Sequence, residues 1–288
     1  MKKILYATDL SRNAETAFQF ALKIAEKHHA ELIMLYVFDV PPVWGHPQIN
    51  YPIEGTNEAS KGWESKLRQL NEHYISEVKP IFMAIENTSA INGILSVIDK
   101  HKPDLVITGT KGKSLLKEIF VGSTTKALVK LSPAPVLAIP KNAKYRDFGI
   151  VIYASDFQEF DLKALEQLIR LVKPYNPDIK VIHVSPDNEY KSNQKMEWFK
   201  DLVQDNISYK NISFDRIFER LTNYVQNHEL DLLVMLEKEH HGFIEKLFHE
   251  DLVWKMEFHT SIPVLSYNEH YLRAIDDQEV KRGDAIEN

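Results

Sequence analysis

The amino-acid sequence predicts an α/β protein made of two tandem doubly wound units, each with parallel strands flanked by helices. Three observations lead there. Short apolar runs alternate with helix-period stripes through the first half. The same landmarks recur, in the same order, through the second half. The chain has 288 residues, long for one domain and comfortable for two. Strands alternating with helices imply parallel β-α-β crossovers and a doubly wound sheet.

The elements follow in order. Lys3–Ala7 is a short apolar run and reads as the first strand. Asp9 and Ser11 are good helix N-cap types, and the stripe Ala14, Ala17, Phe18, Ala21, Leu22 and Ala25 follows them. Glu31–Phe38 has no room for a polar face, as expected of a parallel strand covered on both sides. A helix is expected over Lys61–Val78, a strand over Pro80–Ile85 and a helix over Ile91–Lys100. Asp104–Thr108 is the next strand, Ser123–Leu131 the next helix, and Pro135–Ile139 the last strand of the unit.

The pattern then restarts. Gly149–Asp156 echoes Lys2–Asp9, and Val181–Val184 echoes the strand around Tyr36. Asp231–Val234 echoes Asp104–Ile107, and Ile262–Leu265 echoes Ala134–Leu137. Ordered recurrence of this kind marks an internal repeat. Asp9 and Asp156 stand 147 positions apart, as do Tyr36 and His183, whereas Asp104 and Asp231 stand 127 apart. The second copy is therefore shorter after its second strand, where the first copy has Pro41–Ser60. That segment leaves the carboxyl end of a strand, where open α/β sheets bind ligands; it reads either as a lid or as an ordinary surface loop. The expected units are residues 1–142 and 147–270, joined through the charged stretch Lys141–Phe148. A charged tail, 271–288, is either a short packed helix or frayed.

Composition removes several classes of function. With no cysteine, the chain has no disulfide, zinc-thiolate site or cysteine nucleophile. A net charge of −6 lacks the basic face of a general nucleic-acid binder. The opening apolar run ends at Thr8-Asp9, too short for a signal peptide or a membrane span. A soluble, cytoplasmic protein without nucleic-acid or membrane partners is expected.

The most informative stretch runs from Thr108 to Thr124, between a strand and a helix. Gly109 and Gly112 let the backbone approach an anion without a Cβ in the way. Amides here can form a nest for phosphate oxygens. Gly122-Ser123-Thr124 opens a helix, whose free amides and positive end also suit an anion. Lys111 and Lys113 either neutralise phosphate charge or are solvated surface lysines. The loop is not a Walker A motif, which needs four residues between its first glycine and its Gly-Lys pair; here only Thr110 and Lys111 intervene. A dinucleotide fingerprint also fails, because the glycines follow a late strand.

Gly109, two residues, Gly112, nine residues, then Gly122 and Ser123 resemble the nucleotide loop of the universal stress protein family. The Ala7-Thr8-Asp9 strand end and the Ser132–Leu137 run are similar to that family too. The resemblance spans nearly the whole chain as two domains, the second degenerate. It implies a Rossmann-like, five-stranded parallel sheet in each unit, with ATP, with or without Mg2+, at the switch point of the first. On that resemblance Ala7, Thr8 and Asp9 border the nucleotide, and Val37 meets adenine through its backbone. Thr108, Gly109, Lys111 and Gly112 line ribose and phosphates, and Gly122, Ser123 and Thr124 hold the phosphate tail. Asp9 has a second reading as a helix N-cap. The stretch Glu86–Ala90 lacks the family's Gly-x-Pro turn, which leaves the start of the next helix open.

The second copy departs at the decisive points. Leu236 replaces the first glycine, and Glu250-Asp251 replace the late Gly-Ser pair. A leucine crowds a phosphate, and two carboxylates repel one. The second half is therefore expected not to bind ATP in the usual way. His240, His241, His249 and His259 stand among acidic residues, but their spacing matches no metal signature; a polar loop is expected, with no catalytic residue and no metal ligand assigned. The functional expectation is an ATP-binding stress sensor or adaptor, with the two halves paired as a pseudo-dimer through their last strands and two chains forming a homodimer. The alternatives are a slow metal-dependent ATP hydrolase using Asp9 and a nucleotide-free dimerisation scaffold.

Overall fold

The computed structural model describes residues 1–39, 53–110, 122–155, 160–185, 207–213, 230–237 and 261–284. The first half contributes β1 (Lys3–Thr8), α1 (Arg12–His28), β2 (Glu31–Phe38), α2 (Ile53–Glu72), β3 (Ile81–Glu86), α3 (Ala90–His101), β4 (Leu105–Gly109), α4 (Ser123–Leu131) and β5 (Val136–Ile139). The second contributes β6 (Ile150–Ser155), α5 (Asp161–Val172), β7 (Asp178–Ser185), β8 (Ile207–Ser213), β9 (Leu232–Glu237), β10 (Val264–Asn268) and α6 (Glu269–Asp284).

These strands form one ten-stranded sheet in the order β3-β2-β1-β4-β5-β10-β9-β6-β7-β8. The order on one side of the β5–β10 seam is therefore mirrored on the other. Pairings within each half are parallel. The seam is antiparallel, with Val264, Leu265 and Ser266 opposite Ala138, Leu137 and Val136.

Period-two alternation divides the core between two faces. Ile4, Tyr6, Leu32 and Met34 point to the layer that holds Phe18, Ala21 and Leu67. Leu5, Ala7, Ile33 and Leu35 point to the layer that holds Ile94, Val97 and Leu128. Both faces are covered, which is why the strands read as unbroken apolar runs.

Local contacts also recur across the seam. The Lys2 and Lys3 amides donate to Asp104 Oδ2 at 2.6 and 2.8 Å. The Gly149 and Ile150 amides donate to Asp231 Oδ2 at 3.0 and 2.9 Å. Tyr6 donates its hydroxyl to the Ala14 carbonyl and Tyr153 donates its hydroxyl to Asp161 Oδ1, in each case a residue eight positions on.

Several boundaries differ from expectation. Helix α2 begins at Ile53 and ends at Glu72, so Ile53–Ser60, expected in a lid or surface loop, is helical; residues 40–52 lie outside the described residues. Gly55 and Gly62 weaken the helical signal at its start. The apolar spacing continues past its end because Tyr74 and Val78 pack on the core from beyond the helix. Helix α3 starts without the Gly-x-Pro turn: Asn87 Oδ1 accepts from the Ser89 amide at 2.9 Å, and Ser89 Oγ accepts from Asn92. Strand β8 carries no apolar run and escaped the sequence reading.

The stretch Lys141–Phe148 is no free tether. Phe148 is buried, Tyr145 packs edge-on to Phe20, Asp147 pairs with Lys27 and Arg146 pairs with Asp231. The expected boundary before the charged tail falls inside α6, whose Leu272 is buried.

Candidate functional site

From β1 the chain moves through α1 to β2 on one side; from β4 it moves through α4 to β5 on the other. The sheet order thus reverses between β1 and β4, and a crevice opens there at the carboxyl ends. Ala7 stands opposite Thr108, and Thr8 opposite Tyr36. Thr8 is the last residue of β1 paired with β2, so Val37 extends beyond that ladder while β3 still holds it opposite Ile85.

The β1–α1 corner is tightly built. Thr8 Oγ1 accepts from the Leu10 amide at 3.0 Å, and Asp9 Oδ1 accepts from the Ser11 amide at 3.0 Å. Leu10 adopts a left-handed conformation, φ 57°, which costs a non-glycine residue roughly 1 kcal/mol. Ser11, not Asp9, occupies the N-cap position of α1, and its side chain makes no capping bond. Asp9 therefore does not act as the helix cap; its carboxylate closes the corner at the crevice. Burial, and then the charge of Asp9, push the Tyr36 hydroxyl above the ordinary tyrosine range.

On the other side of the crevice the β4–α4 loop is fixed at both ends. The Thr110 amide donates to Ile139 at 3.0 Å, and the Gly122 amide donates back to Thr110 at 2.6 Å. Thr125 donates its hydroxyl to the Gly109 carbonyl at 2.9 Å. The chain therefore leaves and returns at one point above β4. Helix α4 opens with Gly122 as its N-cap, without a side-chain capping bond and without an acidic residue in its first turn. Its first amides have no intrahelical acceptor, so the helix end favours an anion.

The structure thus brings Ala7, Thr8 and Asp9 together with Thr108, Gly109, Gly122, Ser123 and Thr124, and it sets Val37 beyond β1 on the β2 side. Lys111, Gly112 and Lys113 lie outside the described residues. Sequence reasoning missed two contributors. Thr125 anchors the β4 end, for which the Ser-Thr-Thr run was a signal. Gly93 of α3 abuts Val37: a Cβ there would stand 2.7 Å from Val37 Cγ1.

In the second half, Leu236 and Glu237 end β9 and are buried. Leu236 takes the place held by Gly109 and packs with Leu265 and Tyr267. Asp156, Glu250, Asp251, His240, His241, His249 and His259 lie outside the described residues. Among the described residues no group of three or more side chains is placed to hold a metal, and no helix is long and apolar enough to cross a membrane.

An open parallel sheet with a crevice at its switch point defines a doubly wound α/β protein. The chain belongs to the universal stress protein family. Residues 1–140 match that family's sequence profile, Universal stress protein family. A universal stress protein of Methanocaldococcus jannaschii is 33% identical over 151 residues, covering 50% of this chain and 84% of the relative. A second from the same organism is 29% identical over 154 residues, covering 49% of this chain and 95% of the relative. The crystal structure of a universal stress protein from Archaeoglobus fulgidus shares the fold over both halves, with a TM-score of 0.64 at 19% identity, covering 92% of this chain and 98% of that one.

Proposed function

We propose that the protein binds ATP in the crevice of its first half and acts as a stress-response sensor or adaptor. Asp9 faces ribose, the Val37 backbone meets adenine, and Gly109, Lys111 and Gly112 line the ribose and phosphates. Gly122, Ser123 and Thr124 hold the phosphate tail; Ala7, Thr8 and Thr108 form the floor.

The observation that carries this reading is the loop pinned from Thr110 to Gly122 above β4, next to an α4 start free of acidic side chains. On this reading residues 1–142 are the nucleotide-binding unit, and residues 147–270 are a degenerate second copy that takes no ATP. The mirrored strand order and the recurring Asp104 and Asp231 contacts support a tandem repeat. The antiparallel β5–β10 seam supports an intramolecular pseudo-dimer, and two chains then associate as a homodimer.

Titration calorimetry tests the proposal. Wild-type protein is expected to bind ATP, and Gly109→Leu combined with Gly122→Glu is expected to weaken binding about a hundredfold or more, from the loss of charge-assisted contacts. Equal binding by wild type and variant, or none by the wild type, would refute it.

A further inference from the structure

We infer that Asn268 couples the proposed ATP crevice to the C-terminal helix, so that nucleotide in the first half tightens α6 in the second. The inference rests on the ATP reading above and adds a route out of that site.

Asn268 ends β10 and is buried. Its side-chain amide donates to the Val129 carbonyl at 3.0 Å and to the Ser132 carbonyl at 2.8 Å. Its Oδ1 accepts from the Tyr271 amide at 2.9 Å. One side chain from the second half therefore caps the C-terminus of α4 and the N-terminus of α6 together. Both of its donors and its acceptor are engaged. A buried amide that loses a partner bears the desolvation cost of the unpaired atom, so the three bonds favour holding together over parting one by one.

Helix α4 is the transmitting element. Its first residues are Ser123 and Thr124 of the crevice, and its last carbonyls are those Asn268 grips. At about 1.5 Å per residue its nine residues form a rod of roughly 14 Å. An anion at its start steadies the whole rod, including the carbonyls at its far end. The device is one-sided: the two last strands open alike, with Pro135-Val136-Leu137 and Pro263-Val264-Leu265, and in that alignment Asn268 stands where the first half has Pro140, which has no side-chain donor. Within its first half α6 also meets α5, where Asp276 pairs with Lys163, and Arg273 lies over the ring of Phe160 just before α5. Ordering α6 thus reaches α5 as well.

Hydrogen exchange of the α6 amides, with and without saturating ATP, tests the coupling in the full-length protein, with ATP affinity measured in parallel. Wild type is expected to show slower α6 exchange when ATP is bound. Asn268→Asp retains the acceptor for Tyr271 and loses both donors to α4. It is expected to lose the response of α6 exchange to ATP and to bind ATP about fivefold more weakly, because coupling is reciprocal. Should Asn268→Asp fail to fold, Asp276→Lys combined with Arg273→Ala loosens α6 without touching Asn268, and the same weakening of ATP binding is expected. Wild type that binds ATP while α6 exchange stays unchanged overturns the coupling alone. Wild type that takes up no ATP overturns the crevice reading, and the coupling with it. Faster α6 exchange in the double variant at unchanged ATP affinity also overturns the coupling.

Discussion

Gly93 leaves α3 without a side chain where the helix passes the end of β2. A Cβ at that position would meet Val37 Cγ1 at 2.7 Å, Val37 Cγ2 at 3.0 Å and Asn87 Cβ at 3.2 Å. Val37 is branched at Cβ and stands in a strand, so it cannot swing away cheaply. Alanine in a helix interior gains up to about 1 kcal/mol over glycine, but overpacking costs about 1–3 kcal/mol. Gly93→Ala is therefore expected to lower stability by about 1 kcal/mol in urea unfolding and, on the proposed reading, to weaken ATP binding by moving Val37. His28 is a second residue whose surroundings decide its behaviour. Burial, and then the nearby N-terminal ammonium, hold its imidazole down to about 4, against a smaller opposing pull from Asp104. Its Nε2 is buried without a hydrogen-bond partner. The folded protein thus keeps His28 neutral where the unfolded chain takes up a proton, so stability falls as pH drops from about 6.5 towards 4. After discounting for partial solvent access the loss is on the order of 1–2 kcal/mol. His28→Leu is expected to flatten that slope, measured as urea midpoints at neutral and acid pH.

Among the elements, strands were the most legible from sequence and helix ends the least. β1, β2 and β4 are buried on both faces, so their composition alone declares them. β8 is polar, ISYKNIS, and belongs to the sheet only because β7 pairs with it from Ile207 to Ser213; its neighbour, not its pattern, makes it a strand. The candidate site was read from its glycine spacing, of which Gly112 lies outside the described residues, whereas the bonds that shape its two ends, from Thr125 to Gly109 and from Gly122 to Thr110, depend on tertiary geometry. Helix ends also carry uncorrected strain. α3 stops at Lys102, which adopts φ 47° as its C-cap. Its ion pair with Asp99 is largely exposed on both sides and contributes little. Glycine is at ease in that conformation. Lys102→Gly is therefore expected to raise stability by about 0.5–1 kcal/mol in thermal unfolding, even though it deletes a charge pair.

For the whole molecule the decisive question is whether the halves fold as one. The internal repeat predicts two units, and the structure joins them by more than a tether. β5 and β10 complete one sheet, Asn268 reaches α4, and Arg146 from the connecting stretch pairs with Asp231 while Asp147 pairs with Lys27. Neither half keeps its inner edge covered once the other unfolds: β5 would expose its ladder groups and β10 likewise, an edge that proteins rarely leave bare. Unfolding one half therefore removes stabilisation from the other, and a single cooperative transition is expected. ATP, bound only in the first half on the proposed reading, adds about 2.7 kcal/mol at a hundred times its Kd, and under full coupling that protection reaches both halves. Hydrogen exchange limited by global unfolding is thus expected to slow equally in β1, beside the crevice, and in β6, across the seam, when ATP is added. Slowing confined to β1, together with a melting curve that separates into two steps, would show that the seam joins two independently folding units.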